Sequence, residues 1–228
     1  LDEVFNSAPT QRYSLSASGG GDNGSFYLMG EYSSQEGVFK RQRYDKYLLR
    51  FNGDIGTKKF RVGNNISFSY TDRDVINSSG DGGGPGNELS GIRYALIAAP
   101  VFPIYDQNGN YINTSSTLGD PTLYGDGNAN PLAFIDATNW TVQRYRFFGN
   151  VFAEYKFLPN LTFRTNLGAD ILFQDETIFK ERLSAAIYDP TSLSRGNVTD
   201  RTMIWNNTLD YSTSFGASKS HNVSLLVG

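Results

Sequence analysis

The chain has 228 residues and a net charge of −3, with 39% hydrophobic residues, 14% aromatic residues and 24 glycines. That balance supplies no basic stripe for a phosphate backbone; the nearest candidate, Lys40-Arg41-Gln42-Arg43, is short and lies beside Asp45, so nucleic acid is excluded as a partner. With no cysteine and one histidine, disulfides, thiol catalysis and Cys-ligated zinc are excluded as well.

No run of about 18 apolar residues exists, which rules out a transmembrane helix. A transmembrane β-strand needs only about 9 to 11 residues, half of them polar, so a mean hydropathy of −0.40 is compatible with a membrane protein. No signal peptide opens the chain at Leu1-Asp2-Glu3, and a processed or excised piece is the expectation.

The first expected strand, Gln11 to Ser18, alternates Tyr13, Leu15 and Ala17 with Arg12, Ser14 and Ser16. A glycine-rich turn, Gly19 to Gly24, leads to a second strand, Ser25 to Ser34, with Phe26, Leu28 and Tyr32 on one face. The loop Gln35 to Asp45 is longer and charged. A third strand, Lys46 to Gly56, sets Tyr47, Leu49, Phe51 and Ile55 against Arg50, Asn52 and Asp54, and Thr57-Lys58-Lys59 reverses it. The fourth is the clearest: from Phe60 to Tyr70, Phe60, Val62, Ile66, Phe68 and Tyr70 oppose Arg61, Gly63, Asn65, Ser67 and Ser69. Such strict alternation separates an oily medium from a wet one.

Periodicity stops from Arg73 to about Thr141, where Gly, Asn, Pro and Asp surround one expected helix, Asn87 to Ala99. So long an irregular excursion is usually functional or mobile. Alternation resumes from Val142 to Phe157, turns at Leu158-Pro159-Asn160, and continues with Leu161, Phe163, Leu167, Ala169, Ile171 and Phe173 against Thr162, Arg164, Asn166 and Asp170. After a loop from about Asp175 to Asp200, a seventh strand carries Met203, Trp205, Leu209, Tyr211 and Phe215 on one face. An eighth starts at His221 and reaches Gly228 in mid-crossing, which reads as a fragment of a larger sheet.

Connections alternate short, long, short, long. In an outer-membrane barrel the short turns are periplasmic and the long loops extracellular, so the tight turns place the Arg73 to Thr141 loop outside. Arg50, Arg164, Asp54, Asp170 and Glu154 must then face a wet lumen, since an Arg or Lys on the lipid side costs about 2 to 4 kcal/mol at midplane. Tyr32, Tyr47, Tyr70, Tyr155 and Trp205 suit interfacial girdles. Alternation alone also fits a soluble carbohydrate-binding β-sandwich, a passive porin or a small adhesion barrel.

Catalytic motifs do not assemble. His221 lacks a second His or Cys to share a metal, no Gly-x-Ser-x-Gly elbow accompanies it, and Gly80 to Gly86 lacks the Lys-Ser/Thr of a phosphate loop. Asp106-Gln107-Asn108-Gly109-Asn110 has alternate oxygen ligands like part of a calcium loop, but its glycine comes too early and no bidentate Glu follows. The expectation is a protein that is not an enzyme, with no cofactor, metal or catalytic residue.

Several phrases resemble the SusC/RagA-like TonB-dependent outer-membrane transporters of Bacteroidetes. They are Ala8 to Gly20, Phe26 to Tyr32, Gln35 to Lys40, Arg50-Phe51-Asn52, Ala98 to Asp106 with Gly109 and Tyr111, and Asn130-Pro131-Leu132-Ala133. The resemblance covers essentially the whole chain. It implies an all-β, antiparallel transmembrane barrel of about 22 strands with a plugged lumen, of which residues 1–228 would supply about eight as the N-terminal part of the barrel domain, the plug domain not included. It further implies residence in the bacterial outer membrane among its lipids, active import of an oligosaccharide or peptide, a SusD-like surface lipoprotein as lid, and TonB coupled through a segment upstream of Leu1. On the long loop, Tyr94, Tyr105, Tyr124 and Trp140 are candidates to stack on substrate rings or meet the lid, and Asp106, Asn108 and Asn128 to hydrogen-bond hydroxyls.

Overall fold

The computed structural model describes residues 4–76, 103–112, 130–181 and 190–228. The expected helix over 87–99, together with Tyr94, Tyr124 and Asn128, lies outside the described residues. The elements are β1 (Thr10–Gly21), β2 (Gly24–Glu36), β3 (Arg43–Gly56), β4 (Phe60–Val75), a short helix α1 (Pro131–Ala137), β5 (Thr138–Leu158), β6 (Leu161–Lys180), β7 (Ser192–Phe215) and β8 (His221–Val227). All eight strands form one antiparallel sheet in chain order.

Turn chemistry sets the register. Gly21 pairs with Gly24 across Asp22 and Asn23, and a Cβ on Gly24 would stand 2.3 Å from the Asp54 carbonyl oxygen, so this corner requires glycine. Between β3 and β4 the Thr57 N–H donates to the Phe60 carbonyl at 2.6 Å, and the Thr57 hydroxyl oxygen accepts from the Phe60 N–H at 3.2 Å. Pro159 and Asn160 close β5–β6, where the register shifts between Lys156 and Leu158. A 3-10 turn, Ala217–Lys219, entered through Gly216 at φ 92°, closes β7–β8.

Each strand presents one apolar and one polar face, and the register aligns them. Across one face run Leu15, Gly30, Leu49, Phe68, Phe147 and Ile171, and next to them Tyr13, Tyr32, Tyr47, Tyr70 and Tyr145. The five tyrosines touch in sequence, with ring centroids 4.7 to 6.5 Å apart. Beyond them this face turns polar, through Ser34, Asp45, Asp72 and Gln143.

Nothing in the described residues covers the apolar face: Leu15 is 81% exposed, Met203 71% and Leu167 51%. A second sheet, which a sandwich would need, is absent among the described residues. β1 and β8 do not pair with each other, so the strands do not close an eight-stranded barrel. An uncovered apolar surface of this extent is stable in hydrocarbon and a liability in water.

The stagger of the strands agrees with a membrane wall. The β7–β8 hairpin tip, at Phe215 and His221, lies about eight residues further along the strands than the β1–β2 tip, six strand spacings away. The opposite limit of the apolar face moves the same way, from Tyr70 on β4 to Met203 on β7, past which Arg201 and Thr199 follow. With a rise of about 3.3 Å per residue and strands about 4.8 Å apart, both limits stay level only if the strands tilt by about 40°, as in outer-membrane barrels. Phe60 to Tyr70 then spans about 25 Å of height, the thickness of the outer-membrane apolar band. Tyr70 and Tyr155 mark its two edges, and Trp205 lies just inside its upper edge, its indole N–H donating to the Thr165 hydroxyl at 2.9 Å.

Strands extend past the ends expected from hydrophobicity. β5 begins at Thr138 rather than Val142, β6 runs to Lys180 and β7 starts at Ser192, so the loop expected from about Asp175 to Asp200 shrinks to residues 181–191. Past the membrane both faces are wet and alternation fades, while the backbone ladder continues. The stretch expected as loop from Arg73 to Thr141 likewise loses Arg73 to Val75 to β4, and Pro131 onward to α1 and β5.

Candidate functional site

The long connections leave the sheet at the Tyr70 end, and there a small conventional core forms. Val4, Ile76, Leu132 and Ile135 are each 5% exposed or less, with Phe5, Phe39, Ile104 and Tyr111 packed against them. Asn130, fully buried, starts α1: its side-chain carbonyl accepts from the N–H groups of Leu132 and Ala133 at 3.1 and 3.4 Å, and Pro131 occupies the first turn. The same side chain donates to the Ile104 carbonyl at 2.7 Å, tying the helix to the hairpin of residues 104–112. At the other end Arg41, at φ 66°, donates to the carbonyls of Ile135 and Asp136 at 3.4 and 2.8 Å. A cation at a helix C-terminus satisfies its orphan carbonyls and meets the negative end of the dipole. The Asp136 carboxylate also receives a short hydrogen bond from the Tyr111 hydroxyl, and burial together with that carboxylate pushes the Tyr111 phenol up.

Three of the sequence candidates sit together on this cap. Tyr105 pairs with Tyr111 in an isolated bridge, rings stacked at 5.1 Å, and is 48% exposed. Asp106 opens the turn: one carboxylate oxygen accepts from the N–H groups of Asn108 and Asn110, both at 2.8 Å, and Gly109 at φ 82° completes the reversal. The Asn110 and Asn108 backbone amides hold the Asp106 carboxyl below the usual carboxylate range. The carboxylate therefore builds the turn, leaving the Asn108 side chain and the Tyr105 ring as the exposed surface.

Trp140 stands apart from that hairpin, on β5. It falls on the polar face beyond Val142 and Arg144, half-buried, and its indole N–H donates to Glu176 at 2.6 Å. Sequence reading missed Arg41, Asn130, Tyr111 and Asp136 as joints of the cap. Asn130-Pro131 carried a helix-start signal; Arg41 carried none, because its role depends on a helix some ninety residues away.

The polar face below the cap is dressed with ion pairs. Arg146 grips Asp170 through two bonds, at 2.8 and 2.6 Å; Arg164 meets Glu154 at 2.9 Å and lies 4.4 Å over the Phe152 ring; Arg61 meets Asp54 at 2.8 Å. The Phe152 ring covers Gly63 directly opposite, where a Cβ would approach to 2.6 Å. Such pairs suit a hydrated lumen.

No protein-family model matches the chain. It is 29% identical over 238 residues to the TonB-dependent receptor P3 of Formosa agariphila and 26% identical over 237 residues to the TonB-dependent receptor P26 of the same organism. Both alignments cover the whole chain but 22% and 21% of the receptors, so the chain spans about a fifth of the length of these curated relatives. Among solved structures it superposes on the RagAB peptide importer in its closed-closed state with a TM-score of 0.76 at 20% identity, and in its open-open state with 0.74 at 21%. Each superposition covers 99% of this chain and 24% of the other. These relatives are receptors and importers rather than enzymes. The chain is thus similar over its whole length to TonB-dependent receptors and shares the fold of the matching stretch of the RagAB importers, as a SusC/RagA-like barrel fragment does.

Proposed function

We propose that the protein to which this chain belongs imports a nutrient oligomer, an oligosaccharide or peptide, across the bacterial outer membrane, and that these strands are part of the barrel wall, with further strands pairing along β1 and β8 to close it. The observation that carries the reading is the combination of a tilted apolar band about 25 Å high with a polar inner face, in a chain similar over its whole length to TonB-dependent receptors. Residues 1–228 then belong to the first part of the barrel domain, with the plug and the TonB-contacting segment upstream. A SusD-like lipoprotein closes over the extracellular end, where the 104–112 hairpin and the loop candidates Tyr94, Tyr105, Asp106, Asn108, Tyr124, Asn128 and Trp140 meet it or the substrate.

Growth on a panel of oligosaccharides and peptides tests this, comparing the parent strain with strains lacking the gene or lacking TonB. Loss of the same nutrient in both mutants, and co-purification of a lipoprotein with the tagged full-length protein, is the expected result. Uptake that needs the gene but not TonB would instead identify a passive porin.

A further inference from the structure

At the outer end of β3 and β4 the acids lie on one side of the sheet, where Arg43 pairs with Asp45, and three other cations lie on the opposite side. Asp45, Asp72 and Asp74 of β3 and β4 fall on the side of the tyrosine row, while Lys46, Arg73 and Arg144 fall on the lumenal side. Lys46 and Arg144 stand opposite Thr71 from its two flanking strands, and Arg73 is the next lumenal residue along β4. Strand spacing places the Cα atoms of all three within about 10 Å of one another. Lys46 and Arg73 make no ion pair or hydrogen bond among the described residues, and Arg144 is held only by the neutral Gln174 side chain, at 3.0 and 2.5 Å.

The lumenal acids nearest to them are engaged elsewhere. Glu31 pairs with Arg12 at 2.5 Å, Glu176 accepts from Trp140, and Asp170 is gripped by Arg146. Deeper in the lumen, Arg61 and Arg164 have carboxylates of their own. Arg50, on β3 two lumenal positions below Lys46, is again without a partner among the described residues. These cations, without a carboxylate partner among the described residues, thus form a descending track on three neighbouring strands, beginning one lumenal position below Trp140.

Resting on the import reading, we propose that this track is a docking site for an anionic group, carboxylate or sulfate, on the imported oligomer. Like charges held close repel one another until an anion arrives, and guanidiniums left free at the lumen surface are suited to bidentate capture of a planar or tetrahedral oxyanion. Among the described residues, the nearby lumenal acids are already engaged and the remaining acids of β3 and β4 lie on the other side of the sheet, so neither set competes for these cations.

Binding to purified full-length protein tests the proposal with two matched probe pairs: oligogalacturonate against its methyl-esterified form, and an oligoglutamate peptide against oligoglutamine. The expected result is a preference of about tenfold or more for the anionic member of one pair, shrinking as salt rises, with the pair showing it telling saccharide from peptide. The triple variant K46Q/R73Q/R144Q is expected to abolish that preference, and K58Q/K59Q, at the opposite rim, to retain it. Heat-modifiable migration on gels verifies that the barrel is folded, and the single variants R73Q and R144Q, each expected to lower the preference several-fold, stand in if the triple variant does not fold. Equal binding of charged and neutral probes, no binding of either anionic probe, or a preference that survives the substitutions would overturn the proposal. Each of those results leaves TonB-dependent growth intact if import itself is correctly assigned.

Discussion

The strand wall and the cap at its outer end solve the same problem in opposite ways. On the wall, Leu15, Leu167 and Met203 are at least half exposed and nothing protein-made covers them; in the cap, Val4, Leu132 and Ile135 are nearly inaccessible. One set of apolar side chains is solvated by lipid and the other by protein. The wall needs no core, because the backbone ladder satisfies the paired strands and the bilayer supplies the apolar medium. The cap stands in water and follows soluble rules: a capped helix, a bound carbonyl at each end and a small packed cluster.

The largest expected effect comes from exchanging the two solvents on the wall. Leu167→Arg places a cation near the middle of the apolar band and is expected to cost up to about 4 kcal/mol of folding into a bilayer, measured by urea titration of the full-length protein in liposomes. Ile135→Ala in the cap is expected to cost about 3 kcal/mol locally, seen as faster hydrogen exchange of residues 130–137 with the wall strands unchanged. If either substitution loosened both regions equally, the two would not be separate solutions.

A smaller effect, about 1 kcal/mol, is expected for Asn130→Ala, which removes both the helix cap and the bond to Ile104; exchange at Leu132 and Ala133 reports it. Smaller still is Arg164→Gln, below about 1 kcal/mol, because the Glu154 pair is exposed to water. Titration gives the finest distinction. The Asp106 carboxyl is held below its unfolded value of about 3.9, so its contribution to the turn is complete above that pH and is lost as pH falls through the folded value. Protection of the Asn108 and Asn110 amides, corrected for intrinsic exchange, is expected to stay constant down to about pH 4 and then drop; Asp106→Asn should abolish that step.

Legibility in the sequence followed the same division. Within the membrane one side chain in two meets lipid, so Phe60 to Tyr70 and Leu161 to Phe173 declared their strands, faces and turns directly. Where β6 and β7 rise into water, Asp175, Glu176 and Asn197 no longer alternate with apolar residues, and the strands read as loop although their ladder continues. The cap was less legible because its joints join distant segments. Asp106 and Asn108 were recognisable as oxygen-bearing loop residues, but only the folded turn shows that the Asp106 carboxylate is occupied by amides of its own loop. The cationic track is invisible to a linear reading: Lys46, Arg73 and Arg144 become neighbours through register alone.

The central claim is that one face of these strands touches lipid and the other touches water. This chain contains no cysteine, so single cysteines can be placed in turn from Phe163 to Phe173 in the full-length protein, with any cysteine elsewhere removed, and spin-labelled in the outer membrane. The account predicts a two-residue oscillation, with oxygen reaching the labels at 163, 165, 167, 169, 171 and 173 and a water-soluble nickel complex reaching those at the even positions. Uniform access along β6, or nickel at the odd positions, would contradict it.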